Sequence, residues 1–343
     1  FIVILSGEDN LKNIAQIANR LVSASHREYE VGGRNIHMSA SVGVTLYPGD
    51  GNVAEEILKN ADSAMYAAKA SGRNCWRFFE PEMLKEAYGK WSLTQSLRHA
   101  LERGELYLNY QPLIALDGYK IIGFEALLRW NSPEHGMVSP ARFIPLAESS
   151  GLILPIGEWV LAEACRFAHK LADMGREKVH VAVNISPRQL ASEDFVEMVK
   201  RTLDKTGIQP KQLEVEVTEN VLIDSLEDSI QKLGELNTLG VGLSLDDFGT
   251  GFSSLTYLRS LPVESLKIDK SFIDKILEDN VQKDFVRSII DMAHAIGLNV
   301  IAEGVESAVQ LEKLAQYGCD CVQGYIFSKP VSQEEALRFS IHK

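Results

Sequence analysis

The fold is decided between residues 241 and 269, which read VGLSLDDFGTGFSSLTYLRSLPVESLKID. Two nearly continuous apolar runs, at 241–247 and 265–269, each end in charged side chains. Strands buried in a parallel sheet require such runs, because both of their faces are covered. Six further runs of this kind occur along the chain: YLNYQP (107–112), IIGFEALLR (121–129), VHVAVNI (179–185), LEVEVTE (213–219), NVIAEGV (299–305) and CVQGYIF (321–327).

Helical patterns lie between most of these runs, as at 195–205 and 308–316. Eight strands alternating with helices between residues 92 and 343 fit a (β/α)8 barrel, which typically needs ~250 residues. One connection departs from this scheme, because only Leu113–Lys120, with an Asp117-Gly118 turn, joins the first two strands. A parallel crossover needs about a dozen residues or more. The sequence therefore predicts an α/β fold with a modified TIM-like barrel whose first strand is antiparallel.

The first 80 residues have a different, mixed α and β pattern. They predict, in order, a strand at Phe1–Leu5, a helix at Leu11–Ser23, a strand at His37–Thr45, a helix at Ala54–Lys69 and a short strand at Cys75–Phe79. The second helix has its apolar residues at Ile57, Leu58, Ala61, Ala64 and Met65. Pro81 then interrupts the pattern, and a helix is expected over 84–103. We predict a partial α+β domain at 1–80, a linker helix region at 81–91 and the barrel at 92–343.

Composition excludes several classes of function. Lys and Arg number 35 against 47 Asp and Glu, and this net charge of −12 does not suit a nucleic-acid polymer as partner. The sequence contains no run of about 18 consecutive apolar residues, so it predicts no membrane span. The four cysteines form no CxxC pair, which favours a reducing, cytoplasmic setting. The start, FIVILSGEDN, resembles the middle of a longer chain, so we expect an upstream sensory domain.

Polar side chains lie at or near the end of seven of the eight predicted strands. They are Glu125, Asn184, Glu216, Glu219, Asp246, Asp247, Lys267, Asp269, Glu303 and Gln323. In a parallel barrel these ends share one face, which carries the chemistry. The alternative is that polar residues follow strands because loops begin there, but several of these have apolar neighbours on both sides. Buried carboxylates cost several kcal/mol each unless they are paired or bind a metal ion.

The donor types indicate which metal would bind. Carboxylate and amide oxygens without His or Cys favour Mg²⁺ or Mn²⁺, or Ca²⁺, over Zn²⁺. Asp246 and Asp247 would point to opposite faces of an ideal strand, so both reach the site only if the strand has given way to a loop. Adjacent carboxylates can hold two metal ions ~3.5–4 Å apart, which suits in-line displacement at phosphorus. Lys267 could orient the attacking water or stabilise charge on a phosphoryl oxygen.

Seven ordered motifs from about residue 92 to 342 resemble the EAL family of cyclic di-GMP phosphodiesterases. They are Glu125-Ala126-Leu127-Leu128-Arg129-Trp130, Asn184-Ile185-Ser186, Glu216-Val217-Thr218-Glu219, Asp246-Asp247-Phe248-Gly249-Thr250-Gly251, Lys267-Ile268-Asp269, Glu303-Gly304-Val305-Glu306 and Gln323-Gly324-Tyr325. The resemblance implies cleavage of one phosphodiester to give linear pGpG. It implies two ions, Mg²⁺ or Mn²⁺, held by Glu125, Asn184, Glu216, Asp246 and Asp247.

The same resemblance implies roles for the remaining positions. Lys267 and Glu303 would act on the attacking water, and Gln323 would orient substrate or water. Arg129 would contact substrate phosphate, and the substrate-binding set would also include Asp269 and Glu306. Glu219 would brace the loop around Asp247–Gly251. This loop and the helix after it, Ser253–Ser260, would form a homodimer contact, although the stripe of Leu255, Leu258 and Leu261 also fits an ordinary core.

The first 80 residues resemble the C-terminal half of a GGDEF domain, the diguanylate cyclase fold. The matching runs are Ser41-Val42-Gly43-Val44-Thr45-Leu46-Tyr47-Pro48, Ala61-Asp62-Ser63-Ala64-Met65-Tyr66-Ala67-Ala68-Lys69 and Gly72-Arg73-Asn74. The half that carries that family's metal and nucleotide positions is absent from this sequence, so we expect no cyclase activity from it. Lys69 and Arg73 match phosphate-contacting positions but are interpreted here as surface residues. A second hypothesis for the barrel is a receptor that binds cyclic di-GMP without hydrolysing it.

Overall fold

The computed structural model describes residues 1–7, 10–31, 34–219, 226–249, 258–277 and 280–341. The chain divides into two compact units, Phe1–Gln95 and Ser96–Lys343. Among the described residues, no helix combines the length and the apolar character that a bilayer crossing requires.

The first unit contains two small sheets and helices Leu11–Ser25 and Ala54–Ala70. Strands β1 (Arg27–Val31) and β2 (Arg34–Met38) pair antiparallel, whereas β3 (Val42–Val44) and β4 (Trp76–Phe78) pair parallel. The strand predicted at His37–Thr45 is therefore wrong as a single element, because the chain leaves β2 at Met38 and begins β3 at Val42. The helix predicted over 84–103 instead spans Pro81–Ala100, with the proline at its start.

One further prediction for this unit is wrong, and another is confirmed only in part. Phe1–Leu5 forms no strand, pairs with no strand among the described residues, and has exposed side chains. In helix Ala54–Ala70 the predicted apolar face holds for Ala64, which is buried, and for Ile57, Ala61 and Met65, which are half-buried, whereas Leu58 is exposed and Asn60 and Ala68 are buried instead. Asn60 turns inward because its Nδ2 donates to the carbonyl oxygen of Asp50 at 2.7 Å.

The second unit is a closed eight-stranded barrel, as predicted. Its strands are β5 (Leu106–Ala115), β6 (Lys120–Ser132), β8 (His180–Ile185), β9 (Leu213–Thr218), β10 (Gly242–Phe248), β11 (Ser265–Ile268), β12 (Asn299–Ala302) and β13 (Cys321–Val322). Strand β7 (Gly136–Val138) adds to β6 outside the ring. The parallel order runs from β6 through β8 to β13, and β5 closes the ring between β13 and β6. Strand β5 is antiparallel to both neighbours, which confirms the prediction from the short first connection.

Helices surround this ring and cover the outer faces of the strands. Those described are Pro140–Ser150, Ile153–Asp173, Pro187–Leu190, Phe195–Thr206, Leu226–Leu239, Lys270–Asp274, Asn280–Ala295, Ala308–Gln316 and Gln333–Arg338. Helix Ile153–Asp173 buries Phe167, which stacks on Tyr110 of β5 with ring centroids 3.9 Å apart. Because the strands are covered outside and filled inside, polar side chains at their carboxyl ends are held in low-dielectric surroundings.

Candidate metal centre and active site

Lys267 is the centre of a buried charge cluster at the carboxyl ends of the parallel strands. It lies within β11, whose four residues are all buried, and its own side chain is fully buried. Its Nζ lies 2.9 Å from Glu216 Oε2 of β9 and 2.6 Å from Glu303 Oε1, just after β12. Asp246 Oδ1 and Glu125 Oε2 follow at 3.6 and 3.8 Å. The structure thus brings together four predicted carboxylates and the predicted lysine.

Asp246 and Asp247 both reach this cluster through a bulge in β10. The register of β10 against β11 shifts between Leu245 and Phe248, and Asp247 has a left-handed φ of 55°. The strand continues to Phe248, so the expectation that a loop begins at the aspartates is wrong. A bulge re-aims one side chain without ending the strand. Carboxylate oxygens of Asp246, Asp247 and Glu303 consequently lie within 4.8 Å of one another and could hold a metal ion.

A second set of hydrogen bonds holds Glu125 on β6. Asn184 Nδ2 donates to Glu125 Oε1 at 2.6 Å, and Gln323 Nε2 donates to Glu125 Oε2 at 2.5 Å. Gln323, which lies one residue beyond β13, also donates to Gln111 Oε1 at 3.0 Å. Both oxygens of Glu125 therefore have fixed partners.

Burial of so many charges changes their protonation equilibria. Desolvation, together with Glu125 and Asp246, raises the pKa of Glu216 well above its ordinary value despite the opposing effect of Lys267. Desolvation and the same neighbouring carboxylates raise the pKa of Glu303 to about 8. The pKa of Lys267 is also raised, because the surrounding carboxylates outweigh the desolvation that opposes its charge. Without a further cation, protons are thus taken up to neutralise the cluster.

The residues present fit a site for divalent cations. Five carboxylates, those of Glu125, Glu216, Asp246, Asp247 and Glu303, face one ammonium group; fully ionised, they carry an excess of four negative charges, which two divalent ions would balance. Glu216 Oε1 and Gln323 Oε1 are buried and have no hydrogen-bond partner among the described residues. Oxygen donors of this kind are the ligands that Mg²⁺ and Mn²⁺ prefer.

Four other predicted site residues, Arg129, Asp269, Glu306 and Glu219, form no hydrogen bond or ion pair with this cluster among the contacts of the described residues. Arg129 donates to the carbonyl oxygen of its neighbour Leu128 at 2.9 Å. Asp269 caps helix Lys270–Asp274 by accepting from the Ser271 backbone N–H. Glu306 is half exposed and lies 2.7 Å from Lys270 Nζ.

Glu219 follows β9, and its buried Oε2 has no hydrogen-bond partner among the described residues. Of the loop that it was predicted to brace, Thr250 and Gly251 lie outside the described residues, as does most of the segment Ser253–Ser260 predicted to form a dimer contact.

Gln111 is a site residue that sequence reasoning missed. It lies on β5 directly opposite Glu125 in the antiparallel register and is buried. The predicted pairing of β5 with β6 was the one signal in the sequence that could have identified Gln111. This pairing brings a polar residue of β5 to the end of the barrel where Glu125 lies.

Comparison with known proteins agrees with this architecture. The family model described as "EAL domain" matches residues 94–330, and the one described as "Diguanylate cyclase, GGDEF domain" matches residues 1–75. MucR of Pseudomonas aeruginosa, a bifunctional diguanylate cyclase/cyclic di-GMP phosphodiesterase, is 42% identical over 94% of this chain and 47% of its own length. NbdA of the same organism, a cyclic di-GMP phosphodiesterase, is 42% identical over 94% of this chain and 42% of its own length.

A solved structure described as "PaMucR Phosphodiesterase, c-di-GMP complex" superposes with a TM-score of 0.69 and 42% identity. The match covers 71% of this chain and 99% of that one. The chain spans about half the length of the curated relatives it matches, or slightly less.

Proposed function

The chain belongs to the EAL domain family, and on that premise we propose that its barrel hydrolyses one phosphodiester bond of cyclic di-GMP to give linear pGpG. The observation that carries this proposal is the convergence of four carboxylates on the buried Lys267 at the carboxyl-terminal rim. The names of MucR and NbdA support the reaction, and the PaMucR complex supports the ligand.

Two Mg²⁺ or Mn²⁺ ions would be held by Glu125, Asn184, Glu216, Asp246 and Asp247. Such ions supply charge that stabilises phosphoryl oxygens and increases the acidity of water. The unpartnered Glu216 Oε1 and the excess negative charge of the cluster support this assignment.

The chain's own residues would position the reactants and move a proton. Glu303, which lies 2.6 Å from Lys267 Nζ, accepts a proton from the attacking water, and Lys267 holds the carboxylate in place. Water oxygen bonds to phosphorus as the bond from phosphorus to the 3′ oxygen breaks, and that oxygen takes up a proton from solvent water, which balances the proton that passes to Glu303. Gln323 orients the water, Arg129 contacts a phosphate, and Asp269 and Glu306 contribute to substrate binding. Glu219 acts indirectly by bracing the loop after β10.

The test is incubation of the chain with cyclic di-GMP and Mg²⁺ or Mn²⁺, with and without EDTA, followed by chromatographic separation of pGpG. We expect pGpG to appear only without chelator. Glu125→Gln should abolish product, whereas Glu312→Gln, on the exposed face of helix Ala308–Gln316, should not. Tight cyclic di-GMP binding with no pGpG under these conditions would instead indicate a receptor that does not hydrolyse it.

Other features of the whole protein are also proposed. Residues 1–80 would have no cyclase activity of their own, with a linker at 81–91 before the barrel at 92–343. A homodimer and an upstream sensory domain are further proposals, tested by sedimentation and by study of a longer chain. The four cysteines are unpaired, which supports a cytoplasmic setting.

A further inference from the structure

Gln111 forms hydrogen bonds with both of its side-chain polar atoms. Its Nε2 donates to the backbone carbonyl oxygen of Ser328 at 3.1 Å, and its Oε1 accepts from Gln323 Nε2 at 3.0 Å. Gln111 is only 7% exposed and Gln323 only 4%. Neither side chain can therefore exchange these partners for bulk water without moving.

The direction of these bonds follows from the chemistry of the groups. A backbone carbonyl can only accept, so Gln111 must turn its NH₂ group toward Ser328 and its carbonyl oxygen toward Gln323. Gln323 must then present its NH₂ group to Gln111, and the same group donates to Glu125 Oε2. Its Oε1 is left as a buried acceptor without a partner among the described residues. The orientation of the Gln323 amide is thus determined by a backbone carbonyl through Gln111.

We propose that Gln111 is a positioning residue, which fixes the Gln323 amide so that its NH₂ group holds Glu125 and its Oε1 accepts a hydrogen bond from the attacking water. The role of that water rests on the function proposed above. The antiparallel first strand makes this arrangement possible, because it places Gln111 opposite Glu125 and within reach of Gln323.

Gln111 acts through Gln323 and does not contact the substrate in this scheme. Both of its polar atoms already have protein partners, so it has little remaining capacity to bind a ligand. Loss of Gln111 should consequently lower the rate of the chemical step and leave substrate affinity nearly unchanged.

The experiment is a double-mutant cycle with Gln111→Met and Gln323→Met, which keep the approximate side-chain shape but remove the hydrogen bonds. Gln111→Met is expected to lower kcat about tenfold, the order of effect of one oriented hydrogen bond, with KM changed less than about threefold. The double variant should be no slower than Gln323→Met alone. Gln212→Met replaces another buried glutamine, before the start of β9, and should leave kcat unchanged.

A second measurement needs neither metal nor nucleotide. In EDTA, the Tm losses of Gln111→Met and Gln323→Met should sum to more than the loss of the double variant, because both single changes break the same bond. Gln111→Asn, which withdraws the amide by one methylene, is the second variant and should behave like Gln111→Met. If the unaltered chain makes no pGpG, the proposed function fails, while this thermal cycle still decides whether Gln111 and Gln323 are coupled.

Three results would overturn the proposal. Additive losses in the kinetic or the thermal cycle would show that Gln111 and Gln323 act independently. An unchanged kcat in Gln111→Met would show that the orientation of Gln323 does not matter. A KM raised tenfold or more with kcat unchanged would make Gln111 a substrate contact.

Discussion

Replacement of Lys267 by methionine removes the positive charge at the centre of the carboxylate cluster and keeps most of the side-chain volume. Lys267 is fully buried, and its Nζ lies within 4 Å of four carboxylates. Its pKa is raised above the ordinary value of 10.5. Lys267 therefore stays charged in the folded chain at any pH up to 8, and the pH dependence of its contribution comes from the protonation of the surrounding carboxylates.

The expected loss follows from the burial of these charges. Removal of one partner from a buried ion pair typically costs ~3–5 kcal/mol, because the remaining charge is uncompensated. Protonation limits this cost, since the pKa of Glu303 is already about 8 when Lys267 is present. We therefore expect a loss of ~3 kcal/mol at pH 8, which corresponds to a Tm lower by ~6–12 °C for a unit of this size. At pH 5.5 the loss should be smaller, because protonated carboxyl groups need no counter-charge.

Thermal unfolding of the whole chain in EDTA, followed by calorimetry at pH 8 and pH 5.5, measures this effect. Lys270→Met is the matched control, since Lys270 is half exposed and pairs with Asp274 and Glu306 at the surface. Exposed ion pairs contribute ~1 kcal/mol or less, so the control should lower Tm by no more than ~4 °C.

The reasoning is refuted if Lys267→Met in EDTA at pH 8 lowers Tm no more than Lys270→Met does. A loss of equal size at both pH values would also contradict it, because repulsion between ionised carboxylates could not then be the cause.

Three further changes test other parts of the structure. Glu303 has a pKa of about 8 when folded against an ordinary 4.5, so the folded state holds an extra proton between these values and stability in EDTA should fall as pH rises through that window. Glu303→Gln should flatten this fall in urea unfolding, and an unchanged slope would assign it to other groups. Asp246→Asn should lower turnover of cyclic di-GMP about 10²–10³-fold, and retention of more than half the activity would remove Asp246 from the site. Gly304→Ala should cost ~1–2 kcal/mol in thermal unfolding, because Gly304 has a φ of 69° and an added Cβ would overlap the Lys270 stem. Gly234→Ala, in a helix with open space around it, should cost nothing, and equal losses for the two glycines would contradict the argument.

The barrel was predictable because its signals are local and repeated. Each buried strand is an apolar run, and the short connection at Leu113–Lys120 allowed only an antiparallel pairing. The first unit was harder to predict, because the apolar run Phe1–Leu5 has the composition of a strand but pairs with no strand among the described residues. Strand formation depends on a partner, which composition does not reveal.

The charged cluster was predictable as a set, but its geometry was not. Polar residues embedded in apolar strands indicated a common site, whereas the bulge that turns Asp247 toward it depends on backbone geometry. The position of Gln111 also depends on backbone geometry that the sequence does not reveal. The turn around Asp117-Gly118 pairs Ala115 with Lys120, and a regular hairpin from there would place Gln111 opposite Phe124. An irregularity between Leu113 and Ile114 shifts the register by one residue, so that Gln111 faces Glu125 instead.

The cluster also links stability to cation binding. Without a cation, burial and the neighbouring carboxylates raise the pKa of Glu216 and that of Glu303, so the folded barrel offsets its excess negative charge with protons as well as with Lys267. A divalent ion that binds the folded chain and not the unfolded one displaces those protons and adds ~2.7 kcal/mol of stability at a hundred times its dissociation constant. The stabilisation should therefore grow as pH rises from 6 to 8, since fewer protons then compete for the same oxygens. Melting curves with and without Mn²⁺ across this range measure it, and a stabilisation that stays constant with pH would mean that the ion binds away from these carboxylates.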